Sequence, residues 1–264
     1  MTQLSAVVLT RNEAHNITDC LDSLAWADGL VVLDSFSTDE TVELAKSRGA
    51  TVFQHPFHDY ASQRNRALDL VESDWVFFVD ADERATPELA QEVRQVIVAR
   101  SETGWWVPRR NYIFGKWIRH SGWYPDYQLR LLKRRKARYD PTREVHEVVI
   151  LDGEAGYLQN TLTHYNYQTV GQFLAKQRVY TNYEAGILFS QGVRPKPQNF
   201  VLQPLREFWR RYVTWQGYLD GGHGLLLSLL MAYFNGAMYV RLHQLWKERD
   251  AGRKTRPDSQ ERIQ

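Results

Sequence analysis

The stretch at residues 75–83, WVFFVDADE, decides the fold that this chain can adopt. Its first five residues are apolar without alternation, which indicates a strand buried on both faces, as in parallel sheets covered by helices. Two carboxylates, Asp80 and Asp82, follow where this strand ends. Ligands of open α/β sheets bind beyond the carboxyl ends of the strands, so the stretch predicts both a sheet and a polar site at its edge.

Strand and helix patterns alternate on both sides of that stretch. Short apolar, β-branched runs predict three further strands, at 6–10, 30–33 and 51–53. Helical spacing or a helix-start signal predicts four helices, at 13–25, 38–47, 60–71 and 87–100. The order β-α-β-α-β-α-β-α predicts the α/β class, with a Rossmann-like, mostly parallel sheet flanked by helices.

The second half of the chain has a different composition. Between residues 104 and 168, Trp, Tyr, Gly, Pro and Arg replace helical periodicity, which predicts short strands and loops. Helical patterns return after residue 168 and are interrupted by a Gly- and Pro-containing segment. These changes predict one large domain and three smaller parts, namely a domain at 1–190, a linker at 191–199, a helical appendage at 200–249 and a flexible tail at 250–264.

Composition excludes several classes of protein. The chain of 264 residues has 33 basic and 31 acidic residues, a balance that does not indicate a nucleic-acid polymer as partner. Cys20 is the single cysteine, so an internal disulfide is excluded and nothing points to an oxidising compartment. The N-terminus lacks the basic and apolar regions of a signal peptide, and we expect a cytoplasmic protein.

Carboxylates after the predicted strands are the first candidates for a site. Asp80 and Asp82 could bind a divalent ion together with a diphosphate, or they could favour the start of the following helix. Asp34, after the second strand, could accept a hydrogen bond from a pyrimidine imide. Arg64, on the helix before the fourth strand, could reach a base or phosphates, although a surface arginine is more often solvated.

Four blocks in this order, LTRNE, DSFSTDET, QRNRALD and VFFVDADE, resemble the family-2 glycosyltransferases, which have the GT-A fold. A later stretch, NYIFGKWIRHSGWYPDYQLRLLKRRKARY followed by VHE at 145–147, is similar to the lipopolysaccharide-core β-1,4-glucosyltransferase branch. The resemblance covers roughly residues 1–185. It implies a nucleotide-sugar half at 1–100 and an acceptor half at 101–190.

The resemblance also implies roles for particular residues. The nucleotide-sugar pocket would be lined by Thr10, Arg11, Glu13, Asp34, Arg64 and Asp80. Asp80 and Asp82 would hold Mg²⁺ or Mn²⁺, with Asp82 as the direct ligand, and the donor would be UDP-glucose. Many family members have a second Asp where this chain has Ser35, so the resemblance does not carry over how base and ribose would be held.

An inverting transferase needs a general base beside the acceptor hydroxyl, and two carboxylates compete for that role. Asp126 lies where the family often has Glu-Asp-x-x-Leu, although Pro125 replaces the Glu. Glu147 is the rival. Either could instead form a structural ion pair, with Arg130 or Arg143 as the partner. We interpret His164 as a hydrogen-bonded structural residue.

A membrane surface is the predicted location of the acceptor. The apolar run at 225–240 has 16 residues, fewer than the roughly 20 of a spanning helix. Arginines and tryptophans flank it, as in helices that lie in the membrane interface. The alternative is a helical hairpin packed on the domain or on a second subunit, so oligomerisation stays open. The basic run at 133–138 could attract anionic head groups or a phosphorylated acceptor.

The sequence therefore predicts an inverting, metal-dependent glycosyltransferase, peripheral on the inner face of the cytoplasmic membrane. It would move a hexose, glucose from UDP-glucose, to the lipopolysaccharide inner core or a similar lipid-linked glycan. Alternatives are a transferase for another surface polysaccharide or glycolipid, a non-catalytic carbohydrate-binding protein, and a sugar nucleotidyltransferase. The last usually carries a Gly-rich phosphate loop after the first strand, and LTRNEAHN contains no glycine.

Overall fold

A computed structural model of the protein describes residues 2–142 and 148–254. Its first four strands form a parallel sheet in the order β3-β2-β1-β4. These strands are β1 (Leu4–Thr10), β2 (Gly29–Asp34), β3 (Thr51–Gln54) and β4 (Trp75–Asp80). The register places Thr10 opposite Asp34 and Leu9 opposite Asp80, so the polar ends of three strands meet at one edge.

Helices cover both faces of this parallel sheet. They are α1 (Ile17–Ser23), α2 (Thr41–Ser47), α3 (Tyr60–Leu70) and α4 (Pro87–Ala99). Phe77 is fully buried in one apolar cluster with residues of α1, α2 and α4, and its neighbour Phe78 is fully buried in a second cluster with residues of α3. Burial of successive side chains on opposite faces explains the unbroken apolar run of β4.

Two helices begin four and three residues later than the sequence predicts, at Ile17 and Thr41. The preceding loops are bonded to each other instead of being helical. The side chain of Asn12 accepts a hydrogen bond from the backbone N–H of Thr38 at 2.8 Å, and Asp39 accepts one from Ala14 N–H at 3.1 Å. Side-chain acceptors of this type compete with helical hydrogen bonds and hold the backbone in turns.

The sheet continues beyond β4 in the order β4-β8-β6-β12-β5, and β8 is antiparallel to both of its neighbours. The additional strands are β5 (Glu83–Ala85), β6 (Gly104–Ile113), β7 (Lys116–Trp117), β8 (Asp126–Lys133), β9 (Ala137–Tyr139), β10 (Val149–Leu151), β11 (Ala155–Tyr157) and β12 (Leu162–Tyr167). The predicted fold class is confirmed: a GT-A-type α/β sheet flanked by helices, with a helical appendage at its C-terminal end.

The described chain divides into two compact units. The sheet unit contains Met1–Tyr112 and Tyr124–Asn166, and the helical unit contains Ile113–Trp123 and the chain from Tyr167 onward. By this division the helix after the sheet groups with the C-terminal helices. The boundary predicted at residue 190 stays a prediction about which parts fold independently.

The helical unit is built from α5 (Val170–Ser190), α6 (Asn199–Trp209) and α7 (Gly222–Lys254). Phe173, Leu227 and Phe234 are buried in its core. The part of α7 at Gly222–Ala251 is long and apolar enough to cross a membrane, although length and composition alone are weak evidence. Of the tail predicted at 250–264, residues 255–264 lie outside the described part.

Candidate active site

Asp34 is fully buried at the end of β2 and accepts hydrogen bonds from three neighbouring segments. Its donors include Thr10 Oγ1 at 3.0 Å, the backbone N–H of Ser37 at 2.8 Å and Gln54 Nε2 at 3.2 Å. Both carboxylate oxygens are thereby occupied. Asp34 holds the turn after β2 in place, and the predicted contact with a pyrimidine requires it to give up one of these donors.

Ser35, which replaces the second aspartate of many family members, is also buried. Its hydroxyl accepts a hydrogen bond from Gln63 Nε2 at 3.0 Å. The departure from the family pattern therefore has a structural consequence, because a neutral hydroxyl links the turn after β2 to α3 where a carboxylate would introduce a charge.

The loop after β1 carries one exposed cation and one partly buried acid. Arg11 is exposed, whereas Glu13 accepts a hydrogen bond from Asn16 Nδ2 at 2.8 Å. Burial raises the pKa of Glu13, and the negative charge of Asp82 raises it further. The loop thus offers an exposed guanidinium for an anionic ligand at the edge where Asp82 lies.

Asp80 is held by two buried arginines. Arg64 Nη2 lies 3.1 Å from Asp80 Oδ1, and Arg130 contacts both oxygens of the same carboxylate. Burial alone would raise the pKa of Asp80, but the charges of Arg130 and Arg64 outweigh it and hold that pKa well below its ordinary value. Arg64 is therefore not the solvated helix residue of the alternative interpretation.

The ionic contacts extend from Asp80 through Glu83 to Asp126. The backbone N–H of Asp80 donates to the fully buried Glu83, whose carboxylate also lies 3.1 Å from Arg109 Nη1. Arg109 is opposite Asp126 in the β6–β8 register and donates to Asp126 Oδ2 from Nη2 at 2.6 Å and from Nε at 2.9 Å. We refer to these ionic side chains as the acid–arginine cluster; its members are Arg64, Asp80, Glu83, Arg109, Asp126 and Arg130.

Asp126 combines partial exposure with strong hydrogen bonding. Its side chain is 26% exposed, and it accepts additional hydrogen bonds from Asn111 Nδ2 at 3.0 Å and Gln128 Nε2 at 2.9 Å. Burial would raise the pKa of Asp126, but Arg109 and these amides lower it below its usual range. Asp126 is ionised at neutral pH and one of its oxygens, Oδ1, has a single protein donor among the described residues.

Arg130, one of the two arginines named as ion-pair partners for the candidate bases, pairs with acids other than Asp126. Arg130 pairs with Asp80 and Glu83, and the partner of Asp126 is Arg109. The sequence placed the cation on the wrong strand because the cross-strand register was not known. Glu147, His146 and Arg143 lie outside the described residues.

Asp82 faces His164 across a short gap. His164 is 6% exposed, and its Nε2 lies 3.4 Å from Asp82 Oδ2, while its Nδ1 lies 2.6 Å from Asn111 Oδ1. If Nδ1 donates to the amide oxygen, the neutral ring presents the lone pair of Nε2 to a carboxylate. A proton or a bound cation between Nε2 and Oδ2 would stabilise this pair, and the contact with Asn111 agrees with the interpretation of His164 as a hydrogen-bonded residue.

Asp82 and His164 fit a divalent ion better than Asp80 does, since both oxygens of Asp80 are bound by arginine. Among the described residues, no group of three or more His, Cys, Asp or Glu side chains is arranged to hold a metal ion. A carboxylate and an imidazole whose other nitrogen is hydrogen-bonded are a common partial ligand set. A phosphate or water could supply further ligands.

Two residues of this site, Arg109 and Asn111, were not identified from the sequence, and Arg130 was named only as a possible ion-pair partner of the candidate bases. Arg130 interrupts the apolar run of β8, and Arg109 alternates with Asn111 on one face of β6. A charge inside a buried strand pattern is a detectable signal, because an unpaired buried charge is too costly to be accidental.

The basic run at 133–138 includes the end of β8, the following turn and the start of β9, and three of its cations have a bonding partner. Arg134 Nε donates to the carbonyl of Ser73 at 3.0 Å, and Lys136 pairs with Asp152. Arg138 Nη2 lies 2.6 Å from Asp69. These contacts leave the run less free to attract an anionic surface than its sequence indicates.

Comparison with known proteins gives a family match over the sheet. The sequence model of the family described as Glycosyl transferase family 2 matches residues 5–162. A lipopolysaccharide core biosynthesis glycosyltransferase, LpsC of Rhizobium meliloti (strain 1021), is 29% identical over 252 residues, covering 92% of this chain and 93% of the relative. An uncharacterized glycosyltransferase of Rickettsia bellii (strain RML369-C) is 26% identical over 259 residues, covering 92% and 86%.

Solved structures are similar at lower identity. Glucosyl-3-phosphoglycerate synthase from Mycobacterium tuberculosis, in complex with Mn²⁺, UDP and glucosyl-3-phosphoglycerate, aligns with a TM-score of 0.46 and 19% identity, over 74% of this chain and 82% of that one. S. aureus TarS 1–349 in complex with UDP aligns with a TM-score of 0.48 and 14% identity, over 95% and 92%.

Proposed function

This chain belongs to glycosyl transferase family 2, and from that premise we propose that it is an inverting, metal-dependent hexosyltransferase that carries glucose from UDP-glucose to a lipopolysaccharide inner core or similar lipid-linked glycan. The observation that carries the proposal is the Asp82–His164 pair beside the acid–arginine cluster at the ends of the parallel strands. The name of the Rhizobium relative supports the acceptor class.

The loops after β1 and β2 bind the nucleotide part of the donor in this proposal. Arg11 supplies an exposed guanidinium to the diphosphate, while Thr10 and Asp34 fix the turn against which the base lies. Glu13 lies beside Asp82 and contributes to the negative field there. Arg64 and Arg130 neutralise Asp80, so that the donor meets a cluster in which most acidic charges are already balanced.

Asp82 and His164 would hold the divalent ion, Mg²⁺ or Mn²⁺, and Asn111 would keep the ring nitrogen Nε2 turned toward it. When bound, such an ion offsets the charge of the diphosphate and eases departure of UDP. Asp80 contributes through the position of the loop at 80–83, because its own carboxylate is engaged by the arginines.

The acceptor hydroxyl loses its proton to a carboxylate as its oxygen attacks the anomeric carbon. The bond from that carbon to the phosphate oxygen breaks, and UDP leaves with the electron pair on the face opposite the attack. Asp126 is the proposed proton acceptor, because it is ionised and its Oδ1 has a single donor among the described residues. Glu147 remains the alternative base.

The enzyme would act at the inner face of the cytoplasmic membrane, attached through the helices at 200–249 without spanning it. Two nearby alternatives keep the same chemistry with a different acceptor, another surface polysaccharide or a glycolipid. They differ from the main proposal in the acceptor alone and are separated by product analysis.

A nucleotide-sugar panel with Mg²⁺ or Mn²⁺ tests the proposal, with UDP release as the first readout and transfer to core glycans as the second. We expect metal-dependent UDP release, greatest with UDP-glucose, and a glucosylated core product with inverted anomeric configuration. Release of pyrophosphate would indicate a nucleotidyltransferase. No metal-dependent UDP release from any nucleotide sugar would contradict the proposal and favour a binding protein.

A further inference from the structure

An open apolar groove lies within the helical unit, between α5, α6 and α7. Its volume is about 960 Å³, and its walls are formed mainly by apolar side chains, among them Leu205, Phe208, Leu229 and Ala237. Arg178 of α5 lies at the same groove and is exposed. The size falls within the range of roughly 300–1,000 Å³ that is usual for small-molecule sites.

The groove belongs to a larger apolar surface that protein does not cover. Leu205 is 60% exposed and Tyr233 is 67% exposed, although both line the groove. On α6 the exposed residues Val201, Leu205 and Trp209 recur every four residues and therefore share one face of the helix. A continuous apolar stripe of this kind indicates a partner rather than solvent.

The composition around the groove indicates which partner. The segment at 191–251 has eight Lys or Arg and four Asp or Glu residues. Two of these acids are buried and bound inside the unit, Glu207 by Arg211 and Asp220 by the backbone of His120. The exposed charge is therefore positive, which matches an anionic surface.

Helix α7 provides a second argument for lipid. It has the length and composition of a membrane span, but only 28% of its most apolar window is buried. Exposed Trp209, Trp215 and Tyr218 accompany it, and such amphipathic rings are enriched where apolar and aqueous phases meet. Both features, the exposed apolar helix and the aromatic rings beside it, indicate contact with the hydrocarbon of a lipid.

We propose that the groove between α5, α6 and α7 seats one acyl chain of an anionic membrane lipid, with the lipid phosphate on Arg178. This inference deepens the membrane attachment in the proposed function, since it names a saturable lipid site on an otherwise peripheral surface. Leu205 and Leu229 contact the chain, and Ala237 leaves the space that the chain occupies.

Binding of a single-chain anionic lipid below its micellar concentration tests the site. The probe is lysophosphatidylglycerol, measured by native mass spectrometry and calorimetry on the full chain. We expect one lipid per protein, and we expect Ala237→Phe to weaken binding by about tenfold or more because the ring fills the groove. Val179→Phe is the matched control, because Val179 lies on α5, is 66% exposed and does not line the groove.

Two further arms identify what the groove recognises. Arg178→Gln should weaken binding of lysophosphatidylglycerol several-fold while leaving lysophosphatidylcholine unchanged, and inorganic phosphate alone should not bind. Equal loss in the Val179→Phe control, or saturable binding that survives Ala237→Phe, would overturn the site. Self-association that Ala237→Phe abolishes, without lipid binding, would assign the groove to a second copy of the chain and would also overturn it.

The result of the lipid-binding experiment can be interpreted independently of the test for transferase activity. Lipid binding is measured without donor or metal, and Asp82→Ala should bind lysophosphatidylglycerol as the unaltered chain does. UDP release from UDP-glucose with a water-soluble acceptor should be unchanged in Ala237→Phe. Loss of lipid binding with UDP release intact would reject the groove alone, whereas lipid binding without UDP release from any donor would reject the transferase alone.

Discussion

In the sheet unit the unusual side chains are buried charges, whereas in the helical unit they are exposed apolar groups. Arg130 and Glu83 are 5% and 0% exposed and lie 3.5 Å apart, while Leu229 and Tyr233 are 52% and 67% exposed. Both patterns carry a free-energy cost in the isolated protein. Each cost falls when a ligand of matching chemistry is bound.

The difference indicates how one chain can bind both a charged, water-soluble ligand and a hydrocarbon surface. Buried charges arranged in advance suit a charged donor and its developing leaving group, because they need little rearrangement when the reaction occurs. Exposed apolar side chains suit a hydrocarbon phase that has no directional requirement. A transferase whose donor is soluble and whose acceptor is held by lipid requires both.

Replacing Asp126 is expected to have the largest effect. Asp126→Asn keeps the shape of the side chain but removes the proton acceptor, so kcat should fall about 10²–10⁴-fold with little change in donor binding. The measurement is steady-state transfer from UDP-glucose, with Glu147→Gln in parallel. A small effect of Asp126→Asn beside a large one of Glu147→Gln would move the base to Glu147.

Removing Arg130 tests whether the buried charges of the sheet unit depend on each other. Arg130→Met removes one buried cation from both Asp80 and Glu83, which keep only Arg64 and Arg109 among their ionic partners, and the free energy of unfolding should fall by about 3–5 kcal/mol. Its control is Arg138→Met, where an exposed pair with Asp69 should contribute about 0–1 kcal/mol. If urea denaturation gave equal losses of unfolding free energy for Arg130→Met and Arg138→Met, the buried cluster would be no more strongly coupled than a surface ion pair.

Substitutions of one buried and one exposed leucine of α7 test how much each contributes to the free energy of unfolding of the protein. Leu227 is fully buried and Leu229 is 52% exposed. Leu227→Ala should lower the free energy of unfolding by about 2–5 kcal/mol, whereas Leu229→Ser should change it by no more than about 0.5 kcal/mol.

The exposed Leu229 should matter for vesicle binding, although it matters little for the free energy of unfolding. Leu229→Ser should reduce cosedimentation with phosphatidylglycerol vesicles several-fold, because an apolar contact with hydrocarbon is lost. Unchanged vesicle binding, or a large loss of stability in Leu229→Ser, would remove the contrast between the two units.

The pH dependence of stability is the smallest expected effect. The pKa of Asp80 and that of Asp126 are lowered in the folded state, so both groups stabilise the fold above their unfolded pKa of about 3.9, and this contribution is lost as pH falls through the folded values. Urea denaturation between pH 7 and pH 3 should show falling stability below about pH 4, less steeply in Asp126→Asn. If stability fell with pH as steeply in Asp126→Asn as in the unaltered chain, the lowered pKa of Asp126 would be contradicted.

How much of this could be predicted from the sequence depends on whether an interaction is local. The first four strands, the helices between them and the carboxyl-end position of Asp80 and Asp82 follow from periodicity and from the order of the elements. The cross-strand pairing of Arg109 with Asp126 depends on the β6–β8 register, and a shift of one residue would place these side chains on opposite faces.

The same limit explains His164, which is separated from Asp82 by most of the sheet unit in sequence and lies 3.4 Å from it in space. A single histidine on an apolar strand gives no local signal of a partner. Its contact with Asp82 becomes visible once β12 is placed beside β5 in the antiparallel register that aligns His164 with Glu83.

The central claim is that Asp82 and His164 hold the ion while Asp80 is held by arginines. Titration of Mn²⁺ by electron paramagnetic resonance, with and without UDP, measures this directly in the unaltered chain and in Asp82→Ala, His164→Ala and Asp80→Asn. The account predicts UDP-dependent Mn²⁺ binding that is lost in Asp82→Ala and weakened about tenfold or more in His164→Ala, with a smaller change in Asp80→Asn. Full Mn²⁺ binding in a folded Asp82→Ala variant would contradict it.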